Sequence, residues 1–338
     1  TIKKVNAIEI LKSLNVSLYD FIEDDHIYKL QITTSKIAEL AQLPFVLLIS
    51  KDYKDKQLLV SDSYIMDRLP SVNMPISKGG LNLNGENMNI GIWDGGAIGT
   101  HINLEDTRVF NIDKTLSFSP YNVHPTQVAG AAAMCGNTSY LHSGAASKSN
   151  IYAWDNWGNI IQEIKDGISK YQLNVTNHSY NFEQSHCKSA SGLYTLDASK
   201  MDKLAYEYPN VLHVVASGNT AHLCAINDTF YSLDIGYQGT KNAITVGYLY
   251  RNEKLVETSG RGPTTDGRLK PELVAKGFAY TASAPGTAFS TVYGSSFSAP
   301  QIAGIATLVQ QKYKLQNGVL PPSSLVKAVL CNTAEDMY

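Results

Sequence analysis

Apolar positions Val5, Ile8, Ile10, Leu11 and Leu14 recur at helical spacing, which predicts a helix over residues 5–14. From His26 to Thr33 the pattern changes to alternation, HIYKLQIT, the period of a half-buried strand. Thr34 and Ser35 then offer an N-cap for a short helix over 36–42, and the apolar run Phe45–Ile49 predicts a strand over 45–50. These elements make a small α+β unit. Over 62–89 periodicity is lost in DSYIMDRLPSVNMPISKGGLNLNGENM and the Asn that follows, a stretch rich in Ser, Asn, Gly and Pro that marks a boundary.

Beyond it, short apolar runs (Ile90–Trp93, Asn150–Ala153, Val175–His178, Leu212–Ala216 and Ala243–Val246) are separated by segments long enough for helices. Such alternation predicts an α/β domain with a doubly wound, mostly parallel sheet. The chain therefore divides into an α+β domain over 1–68, a linker over 69–89 and an α/β domain over 90–338. In open sheets of this kind ligands bind outside the carboxyl ends of the strands, so residues just after each run are the ones to inspect for chemistry.

Composition narrows the picture. With 338 residues, 43% of them hydrophobic, the chain can bury a large core and a smaller satellite. Its formal net charge is −2 and no Lys/Arg run exceeds two residues, which argues against nucleic acid as a partner. The Phe45–Ile49 run is far shorter than the ~20 residues that cross a bilayer, so no membrane span is expected. The chain opens at Thr1, and charges are mixed through its first thirty residues, so no signal peptide is expected within it. Cys135, Cys187, Cys224 and Cys331 show neither C-x-x-C spacing nor matching histidines, and no metal site is read from them. They read as buried thiols or, in an oxidising compartment, as a Cys187–Cys224 disulfide, since both of those lie in loop-like segments.

Four stretches carry candidate chemistry. In NIGIWDGG, Asp94 stands at the carboxyl end of an apolar strand; an Asx-turn is the bland alternative. The glycines at 91, 95, 96 and 99 do not fit the dinucleotide-binding spacing G-x-G-x-x-G. In VHPTQVAGAAAM, His124 opens a small-residue helix with Pro125 suited to its first turn; taken alone, a capping histidine is the simpler reading. VVASGN empties a strand into Asn219, either a turn residue or an amide aimed at a developing oxyanion. YGSSFSAP places Ser295, Ser296 and Ser298 ahead of an apolar helix, where free N–H groups and the positive dipole end would flank a nucleophile.

Taken together in the order Asp, His, Asn, Ser, these stretches resemble the subtilisin-like (S8) serine proteases over about residues 82–335. IWDGG is similar to the family's D-T/S-G segment, HPTQVAG to H-G-T-H-V-A-G, and GSSFSAP to G-T-S-M-A-x-P. SGRGPTTDGRLKPELVAKG is similar to its S-x-R-G-P…K-P-D-I-x-A-P-G segment. Gly95, Pro125 and Gln127 depart from the pattern without removing a proton-transfer group.

The resemblance implies a serine endopeptidase with Ser296 as nucleophile, His124 as base and then acid, Asp94 as the residue that orients the imidazole, and Asn219 in the oxyanion hole. It places Ser179, Tyr180 and Asn181 along the substrate backbone and Ala216, Ser217 and Gly218 on the facing wall of the specificity pocket. Asp228 and Asp234 fall near the pocket floor, with no claim attached to them. Residues 1–68 look like the later part of a propeptide, an intramolecular inhibitor whose processing site would lie within Ser61–Asn73; a permanent accessory domain is the alternative. Ser298, where the family commonly has alanine, reads as structural. The resemblance implies polypeptide substrates, a secreted or extracytoplasmic location and no required cofactor. Structural calcium occurs in the family, but no D-x-D-x-D loop supports it here. The rival readings are a subtilisin-like scaffold that no longer cuts and an α/β-hydrolase, whose G-x-S-x-G elbow is absent.

Overall fold

A computed structural model describes residues 4–14, 16–22, 27–46, 49, 67–105, 107–113, 123–155, 158–182, 187, 190–224, 230–283 and 286–337. It divides into a first unit within residues 1–82 and a second that runs from Leu83 to Tyr338 and includes Asp67. In the first unit helix α1 (Lys4–Ser13) precedes an antiparallel pair, β1 (Ser17–Ile22) and β2 (Ile27–Gln31), then α2 (Ile37–Ala41) and α3 (Leu69–Asn73). Strand β1 escaped the alternation pattern because its register shifts between Leu18 and Asp20, which breaks the period of two. The predicted N-cap at Thr34-Ser35 is instead a 3-10 turn over Thr34–Lys36 that runs straight into α2. Of the strand expected over 45–50, Phe45 lies in a turn, and 47, 48 and 50 lie outside the described residues. His26, Asp228 and residues 61–66 of the expected processing window also lie outside them.

The second unit is built on strands β3 (Asn89–Asp94), β4 (Val109–Asn111), β5 (Asn150–Asp155), β6 (Val175–His178), β7 (Leu212–Ala216), β8 (Ile244–Leu249) and β9 (Leu273–Lys276). They form one parallel sheet in the order β4-β5-β3-β6-β7-β8-β9. Parallel strands need crossovers, and these bring helices to both faces. Helix α4 is His124–Ala133, α5 Ile160–Tyr171, α6 Leu196–Glu207, α7 Ser295–Asn317 and α8 Ser323–Thr333; β10 (Phe278–Ala282) and β11 (Phe289–Tyr293) form a separate antiparallel hairpin.

Alternation along β7 shows why the strands read as continuous apolar runs. Leu212, Val214 and Ala216 join a core with Ala299, Ile302, Ala303 and Ala306 of α7, while Val215 joins the opposite core with Trp93, Trp154 and Ile164. Both faces are covered, so both alternating sets are apolar except for His213, a buried ring bonded to Thr176 Oγ1. The α7 crossing depends on small side chains: a Cβ on Gly304 would stand 2.8 Å from both the Ala132 carbonyl oxygen and the Ala145 Cβ. Strand β3 is where the order reverses, with β5 on one side and β6 on the other. That switch point opens the crevice at the carboxyl ends of the strands, where Asp94 ends β3 and Ser179 follows β6.

Candidate active site

Asp94 ends a strand whose last five residues are all buried, so its carboxylate is fixed from below. Its Oδ1 accepts the Gly95 N–H at 2.7 Å, and its carbonyl accepts the Gly96 N–H at 3.0 Å. The side chain thus caps the next residue while the bond from two residues on goes to the backbone carbonyl, so these bonds do not make the Asx-turn read as the alternative. His124 opens α4, and its Nδ1 lies 2.8 Å from Asp94 Oδ1 and 3.0 Å from Oδ2. A proton on Nδ1 is shared with both oxygens, which makes Nε2 the nitrogen whose lone pair can act as a base. Burial of His124 works against its charged form, but the charge of Asp94 and its hydrogen bond outweigh this and hold the imidazole pKa above the ordinary 6.5.

Ser296 sits in the first turn of α7, after Gly294 at φ +136°, a backbone conformation that favours glycine. Its carbonyl would normally receive the N–H four residues on, but that residue is Pro300 and has none. The Ser179 hydroxyl fills the vacancy at 2.9 Å, and Ser296 Oγ donates back to the Ser179 carbonyl at 3.3 Å. The turn that carries Ser296 is thereby tied to the end of β6. The His124 ring lies against Phe297, the next residue, with centroids 5.4 Å apart.

Asn219 is oriented by Ser295. Its Oδ1 accepts the Ser295 N–H at 2.9 Å and the Ser295 hydroxyl at 3.1 Å, which leaves the amide Nδ2 as donor. The Ser295 hydroxyl also accepts the Gly218 N–H at 3.1 Å, so one buried side chain holds the 216–219 turn and the Asn219 amide together. Sequence reading gave Ser295 a place in the motif without this role. Ser298 is buried and bonds only back to its own helix, to the Ser295 carbonyl, at 3.0 Å among the bonds described.

The two predicted pocket walls face each other across Gln238, whose amide Nε2 donates to the Tyr180 and Ala216 carbonyls at 3.0 Å each. Tyr180 turns its hydroxyl inward to His178 Nδ1 at 3.0 Å. Ser217 is fully buried and supports its wall from behind. Gly218 adopts φ +108°. Cys187 and Cys224 form a disulfide with their Cα atoms 5.5 Å apart. Among the described residues no group of three or more His, Cys, Asp or Glu could hold a metal ion, and no helix is long and apolar enough to cross a membrane.

A sequence model of the subtilase family (peptidase S8) matches residues 85–337. The chain belongs to the subtilase family. Its relatives include C5a peptidase of Streptococcus pyogenes, 27% identical over 198 residues that make up 57% of this chain and 17% of the relative. Alkaline elastase YaB of Bacillus sp. strain YaB is 26% identical over 197 residues, 58% of this chain and 47% of the elastase. This subtilase thus spans well under half the length of the first relative and about half of the second. Among solved structures, the Clostridium perfringens CspB protease superposes with a TM-score of 0.69 at 16% identity, covering 82% of this chain and 94% of its own. At that identity the likeness speaks for the fold, a subtilase domain with a seven-stranded parallel sheet between helices.

Proposed function

We propose that this subtilase is a serine endopeptidase in which Ser296, His124 and Asp94 act as nucleophile, general base and orienting carboxylate. The observation that carries the reading is the His124–Asp94 pair, 2.8 Å apart, set beside the helix turn that presents Ser296. In this mechanism Ser296 Oγ swings from the Ser179 carbonyl toward His124 Nε2, loses its proton there and attacks the scissile carbonyl. The oxyanion is held by the Ser296 N–H and Asn219 Nδ2, and His124 then returns the proton to the leaving amine. Water repeats the sequence on the acyl-enzyme. Ser179, Tyr180 and Asn181 form the edge along which the substrate backbone extends, facing Ala216 and Gly218.

The N-terminal α+β unit acts as a propeptide that inhibits the enzyme until it is cut within Ser61–Asn73. The protein works outside the cytoplasm, in keeping with its disulfide, a bond favoured in oxidising compartments. Incubating the chain beside its Ser296→Ala form and sequencing new N-termini tests both ideas: a cut within the window only in the unsubstituted chain is expected. Fluorophosphonate labelling confined to Ser296 is expected as well, and an unlabelled Ser296 in processed protein would mean a non-catalytic scaffold.

Asn219→Leu removes the side-chain donor to the oxyanion and also the acceptor of two Ser295 hydrogen bonds. It should lower kcat by about 10²–10³. Steady-state kinetics with a peptide p-nitroanilide check this, with KM expected to change far less.

A further inference from the structure

Gln127, the departure from the family pattern three residues after His124, takes no part in the mechanism above. On α4 that spacing puts it on the same face as His124, one turn further on. Its side-chain Nε2 donates to Ser290 Oγ at 2.8 Å, and its backbone carbonyl accepts the Thr281 hydroxyl at 2.7 Å. Thr281 on β10 and Ser290 on β11 are partners in the hairpin register, so one residue of α4 grips both strands at a single rung. The helix also packs closely on β10. A Cβ on Gly130 would collide with Thr281 Oγ1, and the Ala282 N–H donates to Met134 Sδ at 3.2 Å, just past the end of α4.

Strand β11 runs from that rung toward Ser296. Ser290 stands six residues before Ser296, and after Tyr293 the Gly294 N–H is fixed to the Gly277 carbonyl at 3.0 Å. Other links join the same two residues by a different route: His124 to Asp94 on β3, β3 to its neighbour β6, and Ser179 after β6 to the Ser296 carbonyl. The Gln127–Ser290 bond closes these links into a ring that holds His124 and Ser296.

We infer that Gln127 is a positioning residue that, through Ser290, sets the span over which Ser296 passes its proton to His124. This rests on the peptidase reading above. Packing on small side chains resists collision but has no direction, so by itself it permits α4 to slide along the hairpin. A hydrogen bond weakens steeply when its angle or length changes, and it therefore fixes one setting of helix against strand. Proton transfer needs heavy atoms within about 2.6–3.2 Å, and a misplacement of about 1 Å can cost about 10²-fold in rate. The Gln127 amide is neutral, so removing it should disturb the alignment and leave the charge around His124 as it was.

The test uses the full chain, incubated until processing is complete, with a peptide p-nitroanilide as substrate. Gln127→Met keeps the length of the side chain and removes the amide, whereas Ser290→Ala removes only the hydroxyl. Each is expected to lower kcat about tenfold, with KM and the midpoint of the acid limb unchanged. The double variant should fall no further than the singles, because both remove the same bond. Ser290→Thr keeps the hydroxyl and should keep most of kcat. Thermal unfolding shows whether each variant is folded. An unchanged kcat in a folded single variant, a roughly hundredfold loss in the double variant, or a loss carried by KM would overturn the inference. If Gln127→Met does not fold, Ser290→Ala against Ser290→Thr decides. Wild-type protein that neither cuts nor takes a fluorophosphonate at Ser296 loses the peptidase reading and this inference with it, whereas an active wild type with indifferent variants overturns the inference alone.

Discussion

His124→Ala is expected to lower kcat/KM by about 10⁶-fold, because members of a proton-transfer unit fail together rather than additively. Serine is a weak nucleophile without its base, and no other imidazole is described beside Ser296 to replace it. The side chain of His124 is 33% exposed at the start of α4, so its loss should lower thermal stability only modestly, through the bond withdrawn from the buried Asp94 carboxylate, while activity collapses. That separation of activity from stability is the measurement. The intact enzyme should also show an acid limb in kcat/KM. In the proposed mechanism His124 must be neutral to accept the Ser296 proton, and its pKa is held above 6.5, so activity should rise with pH through a midpoint above that value. Asp94→Asn should move the midpoint down and lower the plateau. A midpoint at or below 6.5 in the intact enzyme would sink the assigned pairing.

The second large effect concerns stability in acid. Within β6 and β7, Thr176 Oγ1 lies 3.0 Å from His178 Nε2 and 2.7 Å from His213 Nδ1, so one hydroxyl serves two buried imidazoles. Both rings are almost wholly excluded from water. Burial lowers the His213 pKa to about 4, against an opposing pull from Asp202. Burial, and then the neighbouring His213, lowers that of His178 well below 6.5. The folded protein thus binds these protons less readily than the unfolded chain. Their contribution to stability is complete above about pH 6.5 and is lost as pH falls toward about 4, on the order of 3 kcal/mol for His213. Urea unfolding midpoints between pH 7.5 and 4.5 should fall accordingly, and His213→Gln should flatten part of that slope. An unchanged slope in a folded His213→Gln chain would assign the acid lability to other groups. Because His178 ends β6 and bonds to the Tyr180 hydroxyl, the loss should reach the Ser179–Asn181 segment proposed as the substrate edge.

The strands and the four chemical stretches were legible for the same reason: each is written in contiguous residues. IWDGG is a buried strand followed by its own turn, and HPTQVAGAAA has small residues on every face because α4 is nearly all buried. The α+β unit was less legible. A bulge at β1 breaks alternation, and Thr34–Lys36 forms a 3-10 turn where its side chains suggested a cap. Strand β4 is only three residues long, and β9 lies inside a segment dominated by Gly, Pro and charge.

By itself, then, the sequence determined the kind of sheet and singled out Asp94, His124, Asn219 and Ser296 as candidates, since hydrophobic period and local turn chemistry act over a few residues. Tertiary structure alone decided how those side chains are held. Gln127 Nε2 donates to Ser290 Oγ across 163 residues and links the helix of the histidine to the strand leading to the serine. Ser295 orients Asn219 across 76 residues, and Asp234 meets Asn181 across 53. Hydrogen bonds of this span depend on which strands become neighbours, and no local pattern in the chain encodes a partner that only the closed sheet brings near.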